Sequence, residues 1–240
     1  MIELDSVISS LRFVFYFPIV LVFQLLLTSF ASFLGALLEY FLLTPFTLIY
    51  PILLIPLLIV QIGSYPLFIK QAVKKGEVKI FETVKKVFSR GLTIFACYIL
   101  VTLILLLPLL PLLIYGINFF ITGSVDFNFL LVLSLVFIIF EVVILLKLWL
   151  VFPIMMLEEK GVADSVKLSW KRSKGKLLSI FLTLVIFTIV IFLPISVVLY
   201  LSFLLNLELF NFLSPIFSSL LASTGSSLPT IYYLKSKKRR

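Results

Sequence analysis

The sequence predicts an all-α membrane protein in which six transmembrane helices form three hairpins joined by short amphipathic cytoplasmic helices. Hydrophobic residues make up 62% of the 240 residues and charged residues only 13%, whereas soluble domains have about 45 to 50% apolar and about 25% charged residues. Apolar runs long enough to cross a bilayer recur along the chain, and basic residues cluster after every second run. We therefore interpret residues 1–240 as a single transmembrane domain.

Six apolar runs are each long enough for a hydrocarbon core about 30 Å thick, because an α-helix rises about 1.5 Å per residue. The predicted spans are 13–34, 46–69, 92–114, 129–152, 177–200 and 212–234. Glu39 is the only charge between the first two runs, and the pair Thr44-Pro45 favours a break there. A re-entrant pair is the alternative for these two runs.

The positions of the basic residues test this number of spans independently. Eighteen of the 20 lysines and arginines lie in 70–90, 160–176 and 235–240, which follow the second, fourth and sixth predicted spans. The three intervening loops contain neither lysine nor arginine. Because cytoplasmic loops carry an excess of these residues, the alternation predicts a cell-membrane protein with both termini in the cytoplasm.

A cleaved signal peptide is the alternative interpretation of the first span. The segment that precedes this span contains Glu3 and Asp5 against a single arginine, Arg12. The apolar run is also longer than the roughly 7 to 15 residues of a typical signal peptide. We therefore expect the first span to be a permanent anchor.

The chain repeats a pattern of apolar span, proline and basic segment. Pro66, Pro153 and Pro229 each lie near the predicted end of a span and precede a basic segment. Two of these segments, 76–91 and 161–175, are both bounded by glycines, and Gly91 and Gly175 are expected to mark helix ends. The alternative is that any basic, glycine-bounded loop would look alike.

Both glycine-bounded segments are predicted to form amphipathic helices, the second with Asp164 or Ser165 as its N-cap. Their apolar residues recur at helical spacing: Val78, Phe81, Val84 and Phe88 in the first, and Val162, Val166 and Trp170 in the second. Candidate contacts to anionic lipid headgroups are Lys79, Lys85, Lys86, Lys171 and Arg172, and candidate interfacial anchors are Trp149 and Trp170. The alternative is that these basic segments only orient the chain, and nothing motif-like indicates nucleic-acid binding.

Two charged residues, Glu141 and Lys147, fall inside the fourth predicted span. Six residues separate them, so they do not form an i,i+4 pair. Glu141 is expected to be protonated, paired or facing water, and Lys147 is expected to have a partner on another helix. One interpretation is a proton- or cation-coupled carboxylate with Lys147 as its counter-ion. The other interpretation is that both are hydrogen-bonding groups packed inside the bundle.

A stripe of small residues marks the sixth predicted span. Ser219, Ser223 and Ser227 recur every four residues, a spacing that places them on one helix face and permits close helix contact. The stripe predicts either a central helix or a helix that forms a homo-oligomer or contacts another membrane protein.

The stretch 149–178 combines Pro153, Glu158, Gly161, Ala163, Ser169, Trp170 and Gly175. With the closing segment 229–240, it resembles a broad family of uncharacterised bacterial and archaeal membrane proteins. That family includes the membrane domain attached to some glycerophosphodiester phosphodiesterases. The resemblance implies a fold and a compartment, but no activity.

Motifs typical of enzymes are missing from the sequence, including phosphate-binding glycine loops, G-x-S-x-G and H-E-x-x-H. We therefore predict no catalytic residues, no cofactor and no metal. The expected function is that of a membrane-organising or accessory protein with a basic cytoplasmic face. The alternative is a small proton- or solute-coupled permease that uses Glu141.

Overall fold

A computed structural model describes residues 2–41, 49–109 and 127–238, and every regular element in these ranges is helical. The first half contains α1 (Ile2–Tyr16), α2 (Pro18–Phe41), α3 (Ile49–Lys75), α4 (Ile80–Ser89) and α5 (Gly91–Leu106). The second half contains α6 (Phe127–Leu148), α7 (Val151–Leu157), α8 (Val162–Ser173), α9 (Leu177–Phe187), α10 (Leu193–Leu205) and α11 (Leu207–Lys238). The all-α prediction is confirmed.

Several helices are long and apolar enough to cross a membrane, as expected for a membrane protein. Among the described residues these are Leu54–Lys75, Ser134–Leu157 and Leu177–Leu205. Two sharply bent helix pairs, α1 with α2 and α4 with α5, raise the number from three to five if each pair is one span. Length and composition therefore give three to five spans in the described part of the chain, rather than the predicted six.

The helix of the first predicted span begins at Pro18 rather than at residue 13. Residues 13–16 belong to α1, an additional helix that meets α2 at an angle of 85°. Proline at the first position of a helix loses no hydrogen bond, because the amide there has no partner inside the helix. Pro18 thus favours a new helix start and separates α1 from α2.

The prolines do not end their helices as predicted. Pro66 and Pro229 lie inside α3 and α11, which continue to Lys75 and Lys238. The fourth predicted span is interrupted instead: α6 ends at Leu148, and α7 begins at Val151, close to Pro153. Proline lacks the amide that would continue the hydrogen-bond ladder, which explains a break close to it.

The ends of the other predicted spans differ from the ends of the helices in the structure. The fifth passes through a π-helical turn at Thr188–Phe192, directly before Pro194, and continues to Leu205. The end of the third, 110–114, and the start of the second, 46–48, lie outside the described residues.

The two amphipathic segments form α4 and α8, and the face that each buries in the protein does not include its largest apolar side chains. The apolar side chains Phe81, Phe88 and Trp170 are exposed. The buried faces consist of Thr83 and Val87 in α4, and of Ser165, Ser169 and Ser173 in α8. Small side chains on a buried helix face permit a closer approach of the helix backbones.

The predicted helix ends are only partly right. Gly175, with φ of 77°, follows the end of α8 as expected, but Gly91 begins α5 instead of ending α4. The N-cap of α8 is Gly161, not Asp164 or Ser165. The Ser165 hydroxyl instead donates to the Gly161 carbonyl.

Helix α11 is central, since it packs against α1, α2, α3 and α10. Helix α1 also contacts α9, α4 packs on α3, and α8 packs on α6 and α7. We call the region formed by α1, α4, α7, α8 and residues 224–238 the basic end, because the basic segments of the sequence meet there. It positions the candidate site.

Candidate functional site

The short helix α8 is held by hydroxyl groups on its buried face. The Ser169 hydroxyl donates to the Lys147 carbonyl at 2.7 Å. This carbonyl lies one residue before the end of α6, where carbonyl groups lack partners inside the helix. The serine thus supplies a hydrogen bond that the interrupted helix lost, and fixes α8 across the end of α6.

Helix α1 is attached to α11 in a similar way. The Ser10 hydroxyl donates to the Thr224 carbonyl at 2.6 Å and lies 2.5 Å from Ser227 Oγ. Nearer the end of α11, Lys235 Nζ lies 2.7 Å from Asp5 Oδ2. These contacts hold the N-terminal helix against the last turns of the C-terminal one.

The first two basic segments of the sequence, 70–90 and 160–176, also meet. The Arg90 guanidinium, at the end of α4, donates to the carbonyls of Met155 and Lys160 at 2.7 and 2.8 Å. Lys86 Nζ lies 2.6 Å from Glu159 Oε1, and this hydrogen bond lowers the pKa of the Glu159 carboxyl. Helix α4 is therefore joined to the segment between α7 and α8.

Glu158 is the centre of a second group of contacts. Two guanidinium nitrogens of Arg172 donate to its two carboxylate oxygens at 2.9 and 3.1 Å, and Lys237 Nζ lies 3.0 Å away. Tyr233 hydrogen-bonds to both Glu158 and Arg172. Burial alone would raise the pKa of Glu158, but hydrogen bonds from Arg172, Tyr233 and Lys237 outweigh it and lower the pKa to about 2.

Together these contacts bring distant parts of the chain to one place. The segment after α3 touches the segment after α7, that segment touches the end of α11, and the end of α11 touches α1. The three basic segments and the N-terminal helix therefore lie at the same end of the helical assembly.

The structure divides the predicted lipid contacts into two groups. Arg172 and Lys86 are engaged with Glu158 and Glu159, and Lys79 lies 3.6 Å from Glu82. Lys85 and Lys171 are exposed and form no hydrogen bond or ion pair with any residue that the structure describes. Arg172 is thus a structural residue, and Lys85 and Lys171 are the cations available to a ligand.

Large apolar side chains are exposed close to these cations. Phe81, four residues before Lys85, is 83% exposed, and Leu92 at the start of α5 is 86% exposed. The aromatic rings of Phe88 and Trp170 are also exposed. Exposed aromatic and leucine side chains beside lysines are typical of helices that lie in the headgroup region of a bilayer.

The two tryptophans occupy different environments. The Trp149 ring packs against the ring of Tyr232 on α11, with 5.3 Å between the ring centroids. Trp170 is 46% exposed, and Lys147 Nζ lies 5.3 Å from the centroid of its ring. Trp170 therefore has the exposure expected of an interfacial anchor, whereas Trp149 serves packing between helices.

Glu141 and Lys147 have different surroundings. The Lys147 ammonium has the Trp170 ring as its neighbour, within the range of a cation–π interaction. No hydrogen bond or ion pair of the Glu141 carboxylate occurs within 2–41, 49–109 and 127–238. The adjacent side chains Phe140 and Val142 are exposed.

The predicted serine stripe of α11 belongs to a buried polar cluster between α2, α3 and α11. The Tyr65 hydroxyl is 2.9 Å from Gln24 Oε1 and 2.8 Å from Ser223 Oγ. Ser219 Oγ is 3.1 Å from the Thr28 hydroxyl. The serine stripe is thus occupied inside the chain. Its other members, Gln24, Thr28 and Tyr65, were not predicted, and a glutamine within an otherwise apolar run was the signal for them.

Comparison of the chain with family models, curated proteins and solved structures finds no match. Within the described ranges, no group of three or more acidic, histidine or cysteine residues is arranged to hold a metal ion. The resemblance of 149–178 to the phosphodiesterase-associated membrane domain remains a prediction.

Proposed function

We propose that this chain crosses the cell membrane six times, with both termini in the cytoplasm, and that it has no catalytic role. It organises the membrane, or assists another membrane protein, by holding anionic lipid headgroups against its basic end. The six spans form three hairpins, α2 with α3, α5 with α6, and α9–α10 with α11. The resemblance of 149–178 is compatible with this proposal but adds no activity to it.

The sixth crossing is α11, which is long enough but less apolar than the others. Its hydropathy is lowered by serine and threonine residues, and Ser219, Ser223 and Ser227 are buried against α1, α2 and α3 with hydrogen-bonding partners. Polar groups that are satisfied inside the bundle add little to the cost of crossing a bilayer. Composition alone therefore underestimates how readily α11 crosses.

The contact between the chain termini favours an even number of crossings. Lys235 of α11 and Asp5 of α1 form an ion pair, so these two segments must lie on one side of any membrane. Five crossings would place them on opposite sides. The excess of basic residues at this end supports a cytoplasmic location for that side.

The observation that supports lipid binding is the exposed surface of α4. Phe81 is 83% exposed and Lys85 has no partner among the described residues, while the helix lies at 69° to α5. A helix set across the direction of a span lies along the membrane surface, where its aromatic ring enters the headgroup region and its lysines meet anionic lipid. Each such lysine contributes about 1 kcal/mol.

Spin-label electron paramagnetic resonance tests the lipid preference. Wild-type protein in vesicles should associate more strongly with spin-labelled phosphatidylglycerol than with spin-labelled phosphatidylcholine. Replacing Lys85 and Lys171 by glutamine should reduce the preference, and replacement by arginine should preserve it. A preference unchanged by both glutamines and by about 1 M salt, where charges are screened within about 3 Å, would contradict the proposal.

The orientation is tested with single cysteines, because Cys97 is the only cysteine in the sequence and is buried. In a Cys97→Ala background, Asp164→Cys should react with a membrane-impermeant thiol reagent from the cytoplasmic side. Glu208→Cys, at the start of α11, should react from the opposite side. Labelling of both from one side would show that α9–α10 does not cross the bilayer, and would contradict six spans.

The permease is the second candidate, and one observation favours it: Glu141 has no partner among the described residues. A carboxylate in a span is often part of an ion pathway. Flux into vesicles that is coupled to protons or a solute, and that is abolished in Glu141→Gln, would support the permease and contradict a purely organising role.

A further inference from the structure

A cleft of about 480 Å³ opens at the basic end, between α1, α3 and α11. Its walls are mainly apolar and include Phe13, Phe17, Ile69 and Ile231. The volume is within the roughly 300 to 1,000 Å³ of typical ligand pockets. The cleft is therefore large enough to bury part of a ligand against apolar side chains.

Cationic groups line the same cleft. They are Arg12 of α1 and Lys235 and Lys237 of α11. Lys235 is 2.7 Å from Asp5 Oδ2 and Lys237 is 3.0 Å from Glu158 Oε1, so both have anionic partners within the chain. Arg12 is exposed and forms no ion pair or hydrogen bond with the described residues. Its guanidinium is the cation that remains for a ligand.

The apolar walls and the cation suit two parts of one molecule. An arginine fork matches the oxygens of a phosphate group, with two parallel hydrogen bonds. The apolar wall suits a hydrocarbon chain. A phospholipid carries both a phosphate group and hydrocarbon chains. In a membrane, the phosphate lies at the surface and the chains lie below it.

The position of the cleft agrees with such a ligand. It lies where α1 turns through 85° into α2 and beside the last turns of α3 and α11. In the proposed orientation this is the cytoplasmic surface of the bilayer. An acyl chain would enter the cleft from the membrane, and the phosphate would remain at the surface.

We infer that this cleft binds one anionic glycerophospholipid, with its phosphate on Arg12 and one acyl chain against Phe13, Phe17 and Ile69. The inference rests on the proposed function, because it requires the basic end to lie at the membrane surface. It adds a discrete site to the diffuse surface of α4 and α8. The lipid would join α1 to the bundle and act as part of the folded protein.

Native mass spectrometry tests this site on the full chain. Delipidated wild-type protein should bind one phosphatidylglycerol molecule first, and should bind phosphatidylcholine more weakly. Arg12→Gln should weaken the first binding event by about tenfold or more, as expected for hydrogen bonds to a charged group. Arg12→Lys should recover part of the affinity, since the charge remains and the fork is lost.

Two further variants make the test specific. Lys160→Gln removes the same charge from an exposed position outside the cleft and should leave the first affinity unchanged. Ala72→Phe fills the cleft without altering charge and should weaken the first binding event. Glycerol 3-phosphate, which has the phosphate but no acyl chain, should not compete at concentrations that match the lipid.

The outcomes separate the cleft from the general lipid preference. Equal weakening by Arg12→Gln and Lys160→Gln would overturn the cleft while leaving the spin-label preference intact. Competition by glycerol 3-phosphate would also overturn it, because a phosphate site alone would then explain the binding. Absence of any preference for phosphatidylglycerol in both experiments would remove the proposed function as well.

Discussion

The basic end and the half of the molecule that lies away from it are built differently. We call residues 99–107, 132–145 and 189–217 the far half. Most large side chains of the far half are exposed, such as Ile139 at 65%. The basic end contains fully buried side chains such as Ile154, Met155 and Tyr232.

The contacts that depend on particular residues are concentrated at the basic end. In the proposed orientation, the far half faces acyl chains, which are as apolar as leucine and place few constraints on its side chains. The basic end joins four sequence-distant segments through hydrogen bonds and ion pairs in fixed geometry. Substitutions that preserve hydrophobicity should therefore matter little in one region and substantially in the other.

The largest expected effect is at Glu158. Glu158→Gln removes the charge that Arg172 and Lys237 share, and should lower the free energy of unfolding by about 3 kcal/mol, because partly buried cations lose their partner. Glu141→Gln makes the same chemical change in the far half and should cost nothing. Detergent-based unfolding of both variants measures the contrast. Equal losses would remove the distinction between the two regions.

The same carboxylate makes the basic end sensitive to acid. The pKa of Glu158 is about 2 in the folded protein, below its ordinary value of 4.5. Its contribution to stability is thus fully present above about pH 4.5 and is lost as the pH falls toward 2. The difference in unfolding midpoint between wild type and Glu158→Gln should shrink across this range. A constant difference would show that the charge is not responsible.

A smaller effect is expected where α3 meets α4 and α5. A methyl group on Gly63 would lie 2.8 Å from Val87 Cγ1 and 2.9 Å from Ile94 Cδ1, and both side chains are fully buried. Gly63→Ala should therefore cost about 2 kcal/mol through overpacking. Gly225→Ala is the control, since its methyl group would meet Phe187 at 3.6 Å, an ordinary contact. A tolerated Gly63→Ala would mean that α4 is free to move.

The general fold could be predicted because the bilayer imposes strong constraints on a sequence. Apolar length identified most helices, and helical periodicity identified α4 and α8. Helix α1 was missed because its apolar residues merge with those of the first span, so that only Pro18 marks the boundary. The buried serine face of α8 was not predicted, because the small residues that pack between helices give no apolar periodicity.

The contacts of the candidate site could not be predicted from one sequence. Glu158, Arg172 and Tyr233 belong to three separate segments, and nothing in their local patterns specifies that they pair. In the sequence, nothing distinguishes Arg172 from the other cations of its basic segment. Its ion pair with Glu158 depends on how α8 and α11 pack. Lys85 and Lys171 remain available to a ligand, whereas the adjacent Lys86 and Arg172 form ion pairs with Glu159 and Glu158.

Tyr65→Phe should have a modest effect, because it removes one hydroxyl from the buried cluster with Gln24 and Ser223. Hydrogen bonds between helices in a membrane contribute roughly 1 kcal/mol or less, so the expected loss of unfolding free energy is about 1 kcal/mol. Gln24→Leu in the Tyr65→Phe background should recover part of the loss, since no polar group then lacks its partner. Additive losses in the double variant would contradict a direct interaction.

The smallest expected effect is an isoleucine-to-leucine change in the far half. Ile139 is 65% exposed on α6, whereas Ile154 on α7 is fully buried. Ile154→Leu should cost about 1 kcal/mol, because the side chain has to repack. Ile139→Leu should change the unfolding free energy by less than about 0.5 kcal/mol, as for other exposed positions. If both cost the same, a packed surface covers α6 in the native state. In that case a second copy of the chain or another membrane protein, rather than lipid, would be the neighbour of the far half.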